Sequence, residues 1–152
     1  MKKFITEVKN TNFIEEINNT KEFDKRKYTF LIGLEIFSMI LVALIQYFIR
    51  PKKITFLQIN DFLLGTLPSL FGAIGYVALV FVIHRIVKIK YHKYKIWKSL
   101  LFANLFTVIG FTIWEVIRMA LYSFDVNDIL MTIFGCFIAS FLILIIFYND
   151  LK

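Results

Sequence analysis

The sequence predicts an all-α fold: a polytopic transmembrane four-helix bundle with both termini cytoplasmic. Three observations lead there. Of the 152 residues, 59% are hydrophobic and 19% charged, whereas a soluble domain sits near half apolar and about a quarter charged. The apolar excess is gathered into blocks, each near the roughly 20 residues that a helix needs to span a bilayer. The basic residues cluster at the ends of these blocks, where they set topology.

Residues 1–27 form a polar cytoplasmic tail. Phe4, Ile5, Val8, Phe13, Ile14, Ile17 and Phe23 recur there at loose helical spacing. That pattern fits an amphipathic helix on the inner membrane surface, and it equally fits a solvated tail. No apolar core of a cleavable signal peptide is present in it, so the first span is expected to act as the targeting signal. That span covers 28–49 and ends at Arg50-Pro51-Lys52-Lys53, because proline halts a helix and cations anchor it at the interface. Glu35 within it is expected to snorkel or to pair with Arg85 or Lys88.

Residues 54–87 are too long for one ordinary span, and Gly65 and Pro68 interrupt them. Proline is favoured in a helix's first turn. The stretch therefore divides into an interfacial or re-entrant piece, 54–66, and a second span, 67–87. His84, Arg85 and Lys88 close that span, with His84 and His92 expected to be interface anchors. A basic loop over 88–98 leads into the third span, 97–122. The turn 123–128 leads into the fourth, 129–148. Asp125 or Asn127 is placed to cap the fourth span by accepting a backbone N–H, and Asp128 suits the positive end of its dipole.

Orientation follows from Lys and Arg. Seven lie in the N-terminal tail and six over 85–98, with Lys152 at the C-terminus; the opposite side has Arg50, Lys52 and Lys53. The positive-inside rule then places both termini in the cytoplasm and turns 50–66 and 123–128 outward.

Several function classes drop out. The net charge of +7 is used by topology, so nucleic acid is not an expected partner. The single cysteine, Cys136, has no intrachain disulfide partner. No HxxxH, HExxH or CxxC pattern supports a metal, and no glycine-rich phosphate loop supports a nucleotide, so no cofactor is expected. Short loops leave no room for a soluble catalytic domain.

What remains is polar chemistry inside the membrane. An ionisable residue in a span costs about 2.5–3.5 kcal/mol on insertion scales and needs a reason to persist. Glu115 and Arg118, three apart on one helix, share a face and can pair. That face extends through Asn104, Phe111 and Tyr122 as a polar stripe expected to meet other helices. Asp61, Glu115, Arg118, Asp125 and Asp128 converge near the outer leaflet, where they form either a binding site for a headgroup, sugar or cation, or an ion pair with helix caps that fixes register. Acid/base catalysis would need two acids with pKa values pushed apart, and no catalytic residue is assigned. Rows of small residues (Gly65, Ser69 and Ala73; Ser99, Ala103 and Thr107; Thr132, Cys136 and Ser140, beside Gly135 and Ala139) let backbones approach and predict a compact bundle.

The segment from Trp114-Glu115-Val116-Ile117-Arg118 through Phe124-Asp125-Val126-Asn127-Asp128-Ile129-Leu130 to Gly135 and Ala139 resembles the VanZ-like family. Glu115 matches the family's glutamate, Asp125 and Asp128 its aspartates, and Gly135 its glycine. Arg118 stands where a glutamine is usual, Thr132 replaces an asparagine, and the arginine before the first aspartate is missing. The resemblance covers about a sixth of the chain. It implies a multi-pass protein of the bacterial cytoplasmic membrane, linked to the cell envelope, in a family whose founding member is associated with teicoplanin resistance. The expected partners are membrane lipid and a lipid-linked or cell-wall ligand, with a homo-oligomer or a membrane-protein partner also open. The alternatives are a structural or regulatory small subunit of a larger membrane complex, and a small transporter or holin-like pore.

Overall fold

The computed structural model describes residues 2–19, 22–50, 61–89, 95–120 and 124–148. Among the described residues there are six α-helices: α1 (Lys2–Lys9), α2 (Phe13–Asn19), α3 (Glu22–Leu44), α4 (Asp61–Ile89), α5 (Ile96–Arg118) and α6 (Val126–Ile146). A π-helical turn, Ile45–Ile49, prolongs α3. No strand occurs among the described residues.

Four helical stretches are long and apolar enough to cross a membrane: Lys25–Ile49, Leu63–Lys88, Ile96–Arg118 and Val126–Ile146. Large apolar side chains cover the outside of this bundle, among them Phe37, Leu105, Ile117, Phe134 and Phe141, each more than 50% exposed. In water such a surface would be costly, at about 25 cal/mol per Å²; in a bilayer it faces hydrocarbon. The chain is a multi-pass membrane protein.

The helices are not equivalent. In α4, 67% of the spanning window is buried inside the protein, against 22%, 22% and 28% in the other three. Helix α4 is the hub: α3, α5 and α6 each pack on it, and α5 and α6 also touch one another. Small residues let the backbones come this close. A Cβ added to Gly135 of α6 would stand 2.5 Å from the Leu70 carbonyl oxygen and 2.9 Å from the Ala73 Cβ. A Cβ added to Gly75 of α4 would stand 3.1 Å from the Ser38 Cβ on α3. Most of the predicted rows are buried, with Ala73, Ser99, Ala103 and Ala139 all 0% exposed, while Gly65, Ser69 and Ser140 are partly buried.

The end of the bundle nearest the chain termini is filled. Leu31, Phe81, Leu100, Ile143 and Phe147 are each at most 2% exposed. Phe147 packs on Tyr28 and Phe81 with ring centroids 5.9 and 5.4 Å away. Lys27 lies over the Phe147 ring, 4.9 Å from its centroid. The N-terminal segment folds back on this end, where Lys88 of α4 forms a salt bridge with Glu7 of α1 and Phe13 packs against the core.

Several sequence expectations are corrected here. Residues 61–66 are not divided from the second span: α4 runs unbroken from Asp61, with Pro68 inside it. Proline removes one backbone bond and clashes with a carbonyl four residues back. Those losses fall in the second turn of α4, where the helix carries on through them. Residues 54–60 lie outside the described residues. Residues 22–27 belong to α3, which starts at Glu22. Helix α5 stops at Arg118 and α6 starts at Val126, so the turn between them is longer at its start than expected; residues 121–123 and the side chain of Tyr122 lie outside the described residues. His84 is no interface anchor. It is 2% exposed, its Nδ1 is 3.0 Å from the Ser99 hydroxyl, and its ring stacks on Phe102 at 4.4 Å. Glu35 pairs with neither Arg85 nor Lys88: Glu35 crosses α4 at Gly75, and Lys88 is engaged by Glu7. Ten residues of helix separate Gly75 from Arg85, about 15 Å.

Candidate functional site

One end of the bundle collects the C-terminal end of α3 with its π turn, the start of α4, the end of α5 and the start of α6. Each helix contributes polar side chains there for local reasons. The π turn closes with the Arg50 N–H on the Ile45 carbonyl, a bond one residue longer than in an α-helix. It places Gln46 and Arg50 on the side facing α4. The early turns of α4 supply Gly65 and Ser69. The last two turns of α5 supply Glu115 and Arg118. Helix α6 is opened by Asp125, in an extended conformation, whose carboxylate accepts the Asn127 N–H at 2.9 Å. This fixes the first turn so that Asp128 points inward.

Arg118 joins the two buried acids. Its Nη1 donates to Glu115 Oε1 at 2.8 Å and lies 3.4 Å from Asp128 Oδ2. The Ser69 hydroxyl donates to Asp128 Oδ1 at 2.9 Å, which ties α4 into the same network. Thr132 donates its hydroxyl to the Asp128 carbonyl at 2.8 Å. Glu115 is 3% exposed and Asp128 is 5% exposed. Each is a charge that desolvation would penalise heavily if left alone, and breaking such a pair costs more than its net worth.

These groups line a cavity of about 210 Å³. Gln46 and Arg50 line it from α3 and its π turn, Gly65 and Ser69 from α4, Glu115 and Arg118 from α5, and Asp128 and Thr132 from α6. The Arg50 guanidinium lies 3.9 Å from where a Gly65 Cβ would stand. The second oxygen of Glu115, Oε2, is buried with no hydrogen-bond partner. The backbone N–H of Asp125 faces this carboxylate. Tyr76, Phe111 and Trp114 line the cavity on its lipid side, with Tyr76 edge-on to Phe111 at 5.7 Å.

Of the residues expected at this site, Glu115, Arg118 and Asp128 come together around the cavity. Asp125 caps α6 beside it and does not line it. Asp61 starts α4 at this end, and its side chain lies outside the described residues. The polar stripe of α5 divides: Asn104 bonds the Ser140 hydroxyl of α6 at 2.8 Å, three turns from Glu115, and serves helix packing. Arg50, Gln46, Ser69 and Thr132 were not expected here. Arg50 and Gln46 are four apart, which puts them on one helix face, and that spacing was the signal available for them. Among the described residues no group of His, Cys, Asp and Glu gathers that could hold a metal ion.

No protein-family model matches this chain, and neither a curated protein nor a solved structure matches it. The resemblance to VanZ-like proteins rests on the residues at 114–139 alone.

Proposed function

We propose that this chain is a VanZ-like integral protein of the bacterial cytoplasmic membrane that holds a polar or lipid-linked envelope group in the cavity at Glu115, near the outer leaflet, and thereby changes glycopeptide susceptibility. The observation that carries this reading is the buried, unpartnered Glu115 Oε2 in a cavity lined from all four spanning helices. A buried acceptor without a donor costs roughly 1–3 kcal/mol, more when charged. A ligand that brings a donor recovers that cost on binding, which makes the site ready for one. The outward orientation rests on the charge asymmetry of the loops.

A structural role is the second reading, because the links among Ser69, Asp128, Arg118 and Glu115 tie three helices in register. The filled opposite end of the bundle, with Phe81 and Leu31 0% exposed, speaks against a pore through a single copy. The test expresses the wild type or Glu115→Gln at equal membrane levels and measures teicoplanin susceptibility. We expect a shift with the wild type and none with Glu115→Gln. An equal shift with both would leave the structural reading in its place; no shift with either would remove the envelope role.

A further inference from the structure

The polar cavity does not end at its aromatic wall. On the far side of Tyr76, Phe111 and Trp114 lies a second hollow of about 370 Å³, lined by those three residues with Phe106, Thr107 and Gly110. The two hollows therefore share a wall of three side chains. The second is apolar and runs along the surface of α5, from Phe106 to Trp114, about 12 Å of helix. Phe106 and Trp114 are 44% and 57% exposed there, so the groove opens toward lipid. A charged pocket adjoining an apolar channel is the shape complement of a molecule with a polar head and a hydrocarbon chain.

The charges narrow the head. The cavity holds two carboxylates, Glu115 and Asp128, and two guanidinium groups, Arg118 and Arg50. Arg118 already bridges both acids. Glu115 Oε2 still lacks a donor, and Arg50 makes no ion pair among the described residues. A site whose own charges cancel admits a zwitterion without adding net charge to a low-dielectric region. An ammonium meets the Glu115 need and a phosphate meets that of Arg50, which is strong as a bidentate pair.

Resting on the binding reading above, we propose that the occupant is a zwitterionic phospholipid with a phosphoethanolamine head. Its ammonium sits on Glu115, its phosphate on Arg50, and one acyl chain lies in the groove past Gly110. A Cβ at Gly110 would meet nothing within 4 Å, so a larger side chain can fill the groove without a backbone clash.

The chain has two tryptophans, Trp97 and Trp114, so Trp97→Phe leaves Trp114 as a reporter in both hollows. The full chain, purified in neutral detergent, is titrated with phosphatidylethanolamine, with phosphatidylglycerol of the same chains, and with free phosphoethanolamine. We expect phosphatidylethanolamine to bind roughly tenfold more tightly than phosphatidylglycerol, and Glu115→Gln and Arg50→Gln each to lose about tenfold, as for a charge-assisted hydrogen bond. Gly110→Leu should weaken the lipid and leave free phosphoethanolamine unchanged. Equal binding of the two lipids overturns the proposal, as does a Gly110→Leu variant that binds phosphatidylethanolamine like the wild type. If free phosphoethanolamine binds through Glu115 while Gly110→Leu has no effect, the polar cavity stands and the lipid assignment falls. If no probe binds the wild type, both fall.

Discussion

Arg118 stands between two carboxylates that the fold has taken out of water, and its removal should matter more than its own exposure suggests. The side chain is 36% exposed, while Glu115 and Asp128 are 4% and 7% exposed at theirs. Replacing Arg118 by Gln leaves two like charges buried together, a loss of about 1–3 kcal/mol or more. Arg118→Lys keeps the charge but loses the planar fork that reaches both acids. We expect the midpoint of thermal unfolding in detergent to fall most for Arg118→Gln, less for Arg118→Lys, and to recover in the double variant Arg118→Gln with Glu115→Gln. Midpoints that simply add would show that the two residues do not act as a pair. Ser140 offers a milder comparison. Its link to Asn104 is an interhelical hydrogen bond between neutral groups, and such bonds average about 0.6 kcal/mol in membranes. Ser140→Ala should lower the midpoint only slightly.

At the scale of elements, the crossing of α4 and α6 is set by one missing Cβ. The methyl group of Gly135→Ala would meet the Leu70 carbonyl at 2.5 Å, and a carbonyl in a helix cannot swing away as a side-chain tip can. The helices must separate, and with them Ser69 and Asp128, whose hydrogen bond crosses the same interface. Overpacking of this kind costs about 1–3 kcal/mol. Gly135→Ala should therefore lower the unfolding midpoint and weaken whatever binds the cavity. Gly33→Ala is the control: nothing lies within 4 Å of its Cβ, and alanine favours the helix by about 0.5–1 kcal/mol. A Gly135→Ala variant as stable as the wild type would mean that the crossing is looser than its geometry implies. The π turn of α3 belongs to this scale too. It shifts the helix phase within its last turn, where Gln46 and Arg50 line the cavity.

For the whole molecule, the up-and-down path of four spans ties topology to loop position. Asn12, Lys95 and Asn127 are all exposed. Cys136, the native thiol, is 6% exposed and part of the buried core, so it should stay silent to an impermeant thiol reagent. We expect Asn12→Cys and Lys95→Cys to be protected in intact cells and labelled after lysis, and Asn127→Cys to be labelled in intact cells. Labelling of Asn127→Cys and Lys95→Cys from one side would overturn the four-span path. The protein should also remain in the membrane pellet after alkaline carbonate extraction.

The membrane class, the four spans and the convergence of Glu115, Arg118 and Asp128 were all legible in the amino-acid sequence. Each depends on period and composition: an apolar run of about 20 residues has few fates besides a bilayer, and residues three apart on a helix must share a face. The cap at Asp125 was legible because capping is local chemistry, made within three residues. Other features were decided by tertiary contact. Pro68 reads as a helix start, yet α4 extends two turns before it, because packing against three neighbours outweighs one lost backbone bond. His84 reads as an anchor beside Arg85, yet it is buried against Ser99 and Phe102, on a helix whose distance from α4 no spacing reveals. Glu35 finds Gly75 opposite it and not a cation. Which helix lies at the centre, and therefore which polar groups from different spans meet around one cavity, is set by the summed packing of small residues across interfaces. Sequence alone determined that this chain lives in a membrane and which residues are costly there; only the tertiary structure decided that Arg50 and Gln46 join them, because proximity between separate helices is a property of their crossing and not of either helix.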